Sequence, residues 1–160
     1  VASYTAVLMC NTAVPAWHDG HGEMPFVFVG SAASAAAGLA LLGAPPAQAG
    51  PARRMAVLGA AGELTASHLL ERRLGMVAEP YRQGRSGTLM RVAKALTAAG
   101  GVGAAIAARR RRPAAAAAGA ALLAGSACTR FAIFQAGVAS ARDPKYTVVP
   151  QRERRGSEVR

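Results

Sequence analysis

From Met24 to Ala44 the chain runs for 21 residues without a single charge. No other feature narrows its possible folds so far. An α-helix rises ~1.5 Å per residue, so ~20 apolar residues cover the ~30 Å hydrocarbon layer of a bilayer. A soluble core helix rarely needs that length of charge-free sequence. Pro25 falls in a first-turn position, where a missing N–H costs nothing, and the Pro45–Pro46 pair stops the helix.

The rest of the chain repeats the pattern less cleanly. Charges gather at Arg53–Arg54, Glu71–Arg85, Arg109–Arg112 and Arg142–Arg160, and the blocks between them are nearly charge-free. That alternation is expected of membrane spans joined by short charged loops. Mean hydropathy is only +0.21, because Ala and Gly dominate the apolar count and the loops are rich in Arg. A formal charge of +11 raises the question of nucleic acid. However, aromatic residues make up 5% of the chain, and no helix-turn-helix, zinc or RNA-binding pattern is present. The basic residues stand at the ends of apolar blocks, so the lipid bilayer is the expected partner and nucleic acid is not. Cys10 and Cys128 lie in apolar segments without metal-like spacing and read as small buried hydrophobes; no metal site is expected.

These blocks predict an all-α fold, a polytopic transmembrane helix bundle. Helices are expected at about residues 1–15, 24–44, 52–73, 88–108 and 114–139. The first is shorter than a span needs and begins without an initiator Met, as a clipped helix of a longer protein would. The expectation is therefore four full spans plus one truncated N-terminal span, within a single unit of residues 1–139. Residues 140–160 are polar and read as an extended tail that needs a partner to be ordered. Gly30, Ser34 and Gly38 recur at a four-residue interval, a row that lets helix backbones approach closely.

Alternating helix direction places the polar residues in depth. Side one carries the loop near residues 16–23, the loop near 75–87 and the tail; side two carries the other connections. Asn11 precedes Trp17 by six residues, so it falls about 9 Å inside side one. Glu63 lies eight residues before Glu71, His68 lies nearer that end, and Arg130 is about eight residues before the end of its helix. Ser31 and Ser34 are in the first half of theirs. The polar groups are thus expected to converge on the side-one half. Glu63 and Arg130 are expected to approach each other or share a pocket, because an unpaired charge in a membrane is costly. Two outcomes follow: the pair neutralises itself and holds the bundle, or it frames a pocket in which Glu63 or His68 titrates. His68, five residues from Glu63, is about 140° around the helix and does not share its face. Arginines fall on both sides, so the positive-inside bias does not select an orientation.

The run from Asn11 to Gly38, NTAVPAWHDGHGEMPFVFVGSAASAAAG, resembles the polysulfide reductase NrfD family of membrane subunits. So do AGPARRMAVLGAAGEL, AEPYRQGRSGTLMRVAKALTAAG and the closing TRFAIFQAGVASARDPKYTVVPQRER. The similarity runs over essentially the whole chain, as the second half of a longer subunit of the actinobacterial type. It implies a helical anchor that exchanges electrons between the quinone pool and an iron–sulfur partner. No tightly bound cofactor is implied; a quinone, menaquinone by expectation, is the substrate. Iron–sulfur clusters and molybdopterin would be carried by a ferredoxin-like subunit and a molybdopterin catalytic subunit. On this reading Glu63 and His68 are the candidate catalytic groups for proton transfer. Asn11, Ser31, Ser34 and Arg130 line the quinone pocket or form the ion pair, and Arg142, Asp143, Lys145 and Tyr146 grip the peripheral partner. The competing expectations are a passive structural anchor for redox subunits and a proton or ion transporter.

Overall fold

A computed structural model of the chain describes residues 2–106 and 111–158. Its helices are α1 (Tyr4–Cys10), α2 (Pro15–His18), α3 (Met24–Gly43), α4 (Gly50–Arg73), α5 (Glu79–Arg82), α6 (Gly84–Ile106), α7 (Arg112–Arg142) and α8 (Lys145–Glu158), with a 3-10 turn at Gly75–Ala78. Of the expected four-arginine turn, Arg109 and Arg110 lie outside the described residues, as does the end of the fourth expected helix.

Three helices are long and apolar enough to cross a membrane: α3, α6 and α7, of 20, 23 and 31 residues. Their outward faces carry large apolar side chains, among them Phe26, Leu39, Val102, Ile106 and Phe131, each more than half exposed. An aqueous surface would penalise such a belt, and hydrocarbon accepts it. The chain is a multi-pass integral membrane protein. Helix α4 has the length of a span at 24 residues. It is less apolar because Arg53, Arg54, Glu63, His68, Glu71, Arg72 and Arg73 all fall within it.

Helices α3, α4, α6 and α7 form a four-helix bundle in which α3 packs on α4 and α7, and α6 on the same two. Glycine makes the crossings close. A Cβ on Gly119 would stand 2.5 Å from the Gly38 carbonyl oxygen, and one on Gly30 would stand 2.6 Å from the Glu63 backbone nitrogen. No side chain fits there, so α7 and α4 meet α3 nearly backbone to backbone. At the side-two end, the Arg112 guanidinium donates to the Leu42 carbonyl at 2.6 Å and to the Ala44 carbonyl, capping the open end of α3.

The two ends of the bundle differ in grain. The side-one core holds Met24, Phe28, Leu70, Leu74, Val77, Tyr81, Met90 and Ile133. The side-two core is built almost wholly of alanine, with Leu41 and Leu122 as its large members. Short elements cover side one. Tyr81 is fully buried there, its hydroxyl donating to the Ala16 carbonyl at 2.9 Å. The Trp17 indole lies against Gly137 and donates to the Ile133 carbonyl at 2.9 Å.

Two segments depart from expectation. The first helix breaks after Cys10: Thr12 turns its hydroxyl back to the Met9 carbonyl at 3.0 Å, and Pro15 opens α2. The tail, expected to be extended, forms the helix α8. Asp143 starts it by accepting the Lys145 backbone N–H on its carboxylate at 3.0 Å.

Candidate functional site

Between the two cores lies a polar layer contributed by all four bundle helices. Ser31 and Ser34 come from α3, Glu63 and Ser67 from α4, Thr97 from α6, and Ser126 and Thr129 from α7; all are buried. Each helix delivers its polar residues near its own midpoint. The layer is therefore central along the bundle helices. The apolar residues of the two cores flank it in every helix: Phe28 and Ala37 on α3, Ala60 and Leu70 on α4, Met90 and Ala104 on α6, Leu122 and Ala132 on α7.

Glu63 is the centre of this layer, with 2% of its surface exposed. The Thr129 hydroxyl donates to Glu63 Oε1 at 2.7 Å. Ser31 and Ser34 stand beside the same carboxyl group. Ser31 shares a 2.8 Å hydrogen bond with Ser126. Glu63 Oε2, Ser34 Oγ and Thr97 Oγ1 are buried without a hydrogen-bonding partner. Leaving such groups unpaired costs about 1–3 kcal/mol each. The layer thus has unused capacity to hold a proton or a small polar group.

Arg130 does not close onto Glu63 as an ion pair. Its guanidinium lies 5.5 Å from the centre of the Phe28 ring on the exposed side of α7, within electrostatic reach of the carboxyl. One residue of helix rotation explains the difference: Thr129 faces inward, so Arg130 faces out. His68 and Asn11 also stay outside the layer. Both are exposed, and Asn11 ends α1. The inward position one helical turn after Glu63 belongs to Ser67, and His68 lies off that face as its spacing predicts. Among the six residues proposed for the buried site, the structure brings Glu63, Ser31 and Ser34 together.

A second constellation holds the tail. Glu79 Oε2 accepts from Lys145 Nζ at 2.5 Å and from the Tyr146 hydroxyl at 3.1 Å, and Glu79 Oε1 accepts from Gln83 at 2.9 Å. Hydrogen bonds from Lys145 and Tyr146 hold the Glu79 carboxyl below the usual carboxylate range. The same contact raises Lys145. Lys145 and Tyr146 are therefore bonded to the chain's own side-one loop, and Arg142 and Asp143 are exposed beside them. Glu79 was absent from the expected site residues, although its place in the side-one loop and the basic tail were both visible.

On the outer surface of α3 and α4 runs an apolar groove of about 820 Å³, lined by Phe26, Val29, Met55 and Leu58 around Gly30 and Gly59. These glycines are also the ones that touch Glu63 and Ser34. Among the described residues, no group of three His, Cys, Asp or Glu side chains is placed to hold a metal ion. No family model, curated protein or solved structure matches the chain.

Proposed function

We propose that the chain is the membrane-embedded part of a quinone-linked respiratory oxidoreductase of the cell membrane, similar to the NrfD type. In this reading α4 is a fourth span, its central charge turned into the bundle. The observation that carries the proposal is the buried Glu63 carboxyl, with one oxygen bonded to Thr129 and the other unpartnered beside two serine hydroxyls. Quinone chemistry takes up or releases protons together with electrons. A membrane carboxyl with spare hydrogen-bonding capacity is suited to hold such a proton. The apolar groove along α3 and α4 supports the reading from the lipid side. It fits an isoprenoid tail, and only the Gly30 and Gly59 crossing separates it from the polar layer. Electrons would leave toward a ferredoxin-like subunit docked on the side-one face that carries α8, and from there to a molybdopterin subunit.

The test is Glu63→Gln in the intact complex. Quinone-linked turnover should fall by about 10²–10⁴, the usual contribution of a positioned acid or base. Assembly, and the peripheral subunit's activity with an artificial electron carrier, should not change. Unaltered quinone-linked turnover would establish the second reading, a passive structural anchor. That reading has its own support: Ser31 is bonded to Ser126, and Arg130 is stacked on Phe28, so both are already occupied.

A further inference from the structure

At the side-one end of the bundle, a cavity of about 560 Å³ opens between the last turns of α7 and the start of α6. Arg85 and Arg142 line it, with the side-chain amides of Gln83 and Gln135, and Phe134 and Val138 form its apolar part. A smaller cavity shares Arg85 and Gln135 with it and continues along α6 past Leu89. The space is therefore polar and basic at one end and apolar where it meets the helix faces.

Neither arginine is in use. Among the described residues, Arg85 and Arg142 form no ion pair and no hydrogen bond. Four other basic groups on this face are engaged: Arg73 with Glu23, Arg82 and Lys94 with Glu71, and Lys145 with Glu79. Arg72 and Arg152 are exposed and form no ion pair among the described residues, but they do not line the cavity. Asp143 also lines the cavity, and its carboxylate accepts the Lys145 backbone N–H. Two arginines against one aspartate leave a surplus of one positive charge.

Helix α7 has 31 residues, about ten more than a hydrocarbon core requires, and its end at Arg142 is polar, which suits last turns at headgroup level. Trp17 packs against Phe134 at the cavity's edge, 6.3 Å between ring centres, as interfacial aromatics do. We infer that this cavity binds the phosphodiester of an anionic phospholipid, held by Arg85 and Arg142, with an acyl chain lying along Phe134 and Val138. Pairs of cations between helices at a membrane surface bind such headgroups.

Native mass spectrometry of the delipidated full-length protein, titrated with dioleoylphosphatidylglycerol or dioleoylphosphatidylcholine, tests this site. One phosphatidylglycerol should be retained at about thirtyfold lower lipid concentration than phosphatidylcholine, the scale of two arginines at about 1 kcal/mol each. Arg85→Gln with Arg142→Gln should abolish that preference, Arg85→Lys with Arg142→Lys should keep most of it, and Arg54→Gln at the opposite end should leave it intact. Both arginines are exposed, so the glutamine pair should elute and melt as the parent does. Equal retention of the two lipids would overturn the inference, as would undiminished preference in the glutamine pair. Displacement of bound phosphatidylglycerol by millimolar inorganic phosphate would overturn it too, by assigning the site to a soluble anion.

Discussion

Glu63 and Thr129 are the residues on which the buried layer turns. Glu63 was legible in the sequence because a lone carboxyl in a nearly charge-free block has few explanations. Thr129 was not. A threonine in a membrane helix ordinarily returns its hydroxyl to the carbonyl one turn back, and Thr129 does contact the Gly125 carbonyl at 3.1 Å. Its neighbour Arg130 drew the pairing instead, since opposite charges suggest a partner before hydroxyls do. Replacing Thr129 by Val should leave Glu63 without its donor and destabilise the protein by about 1–3 kcal/mol, while Ser should restore most of the loss. Thermal unfolding in detergent measures both. Glu79 supports a different prediction. Its carboxyl is lowered by Lys145 and Tyr146, so the contact stabilises the fold above the ordinary carboxylate value of 4.5 and is lost as pH falls through the lowered one. The protection of α8 backbone amides, each rate divided by its intrinsic value at the same pH, should fall on acidification below that value, and Glu79→Gln should show the lower protection already at neutral pH.

Among the elements, the longest helices were the plainest in sequence. Helix α3 ends at Gly43, one residue from the expected stop, because Pro45 and Pro46 leave no alternative. Helices α6 and α7 begin earlier than expected; polar residues such as Arg85 and Arg112 continue a helix readily once the apolar stretch has ended. The tail carried a helix signal, Asp143 and Pro144 ahead of Lys145, which its polarity concealed. The α3–α7 crossing gives the sharpest test of packing. Gly119→Leu places a side chain against the Gly38 carbonyl, and overpacking of this kind costs about 1–3 kcal/mol. The loss should be visible as a lower melting temperature. The same change at Gly43, where an added Cβ meets nothing within 4 Å, should be nearly neutral.

At the scale of the whole molecule, the bundle is a sandwich along its own axis. A bulky core and an alanine core enclose a layer of hydroxyls around one carboxyl. The sequence revealed that polar and dry zones exist; that hydroxyls from all four helices join the one carboxyl between two apolar cores became visible only in the packed bundle. The proposed fourth span also has a topological consequence. If α4 crosses the membrane, residues 45–49 and residues 79–83 lie on opposite sides. Single cysteines introduced at Gln48 and Gln83, with Cys10 and Cys128 replaced, should then label from opposite faces with an impermeant maleimide. Labelling from one face would remove α4 from the spans. The central claim, that Glu63 is a proton-exchanging carboxyl within the membrane, is tested most directly by infrared spectroscopy. A pH-induced difference spectrum of the wild type should contain a carboxyl C=O band that is missing from Glu63→Gln. Identical spectra from the two proteins would contradict the account, leaving Glu63 as a fixed structural group.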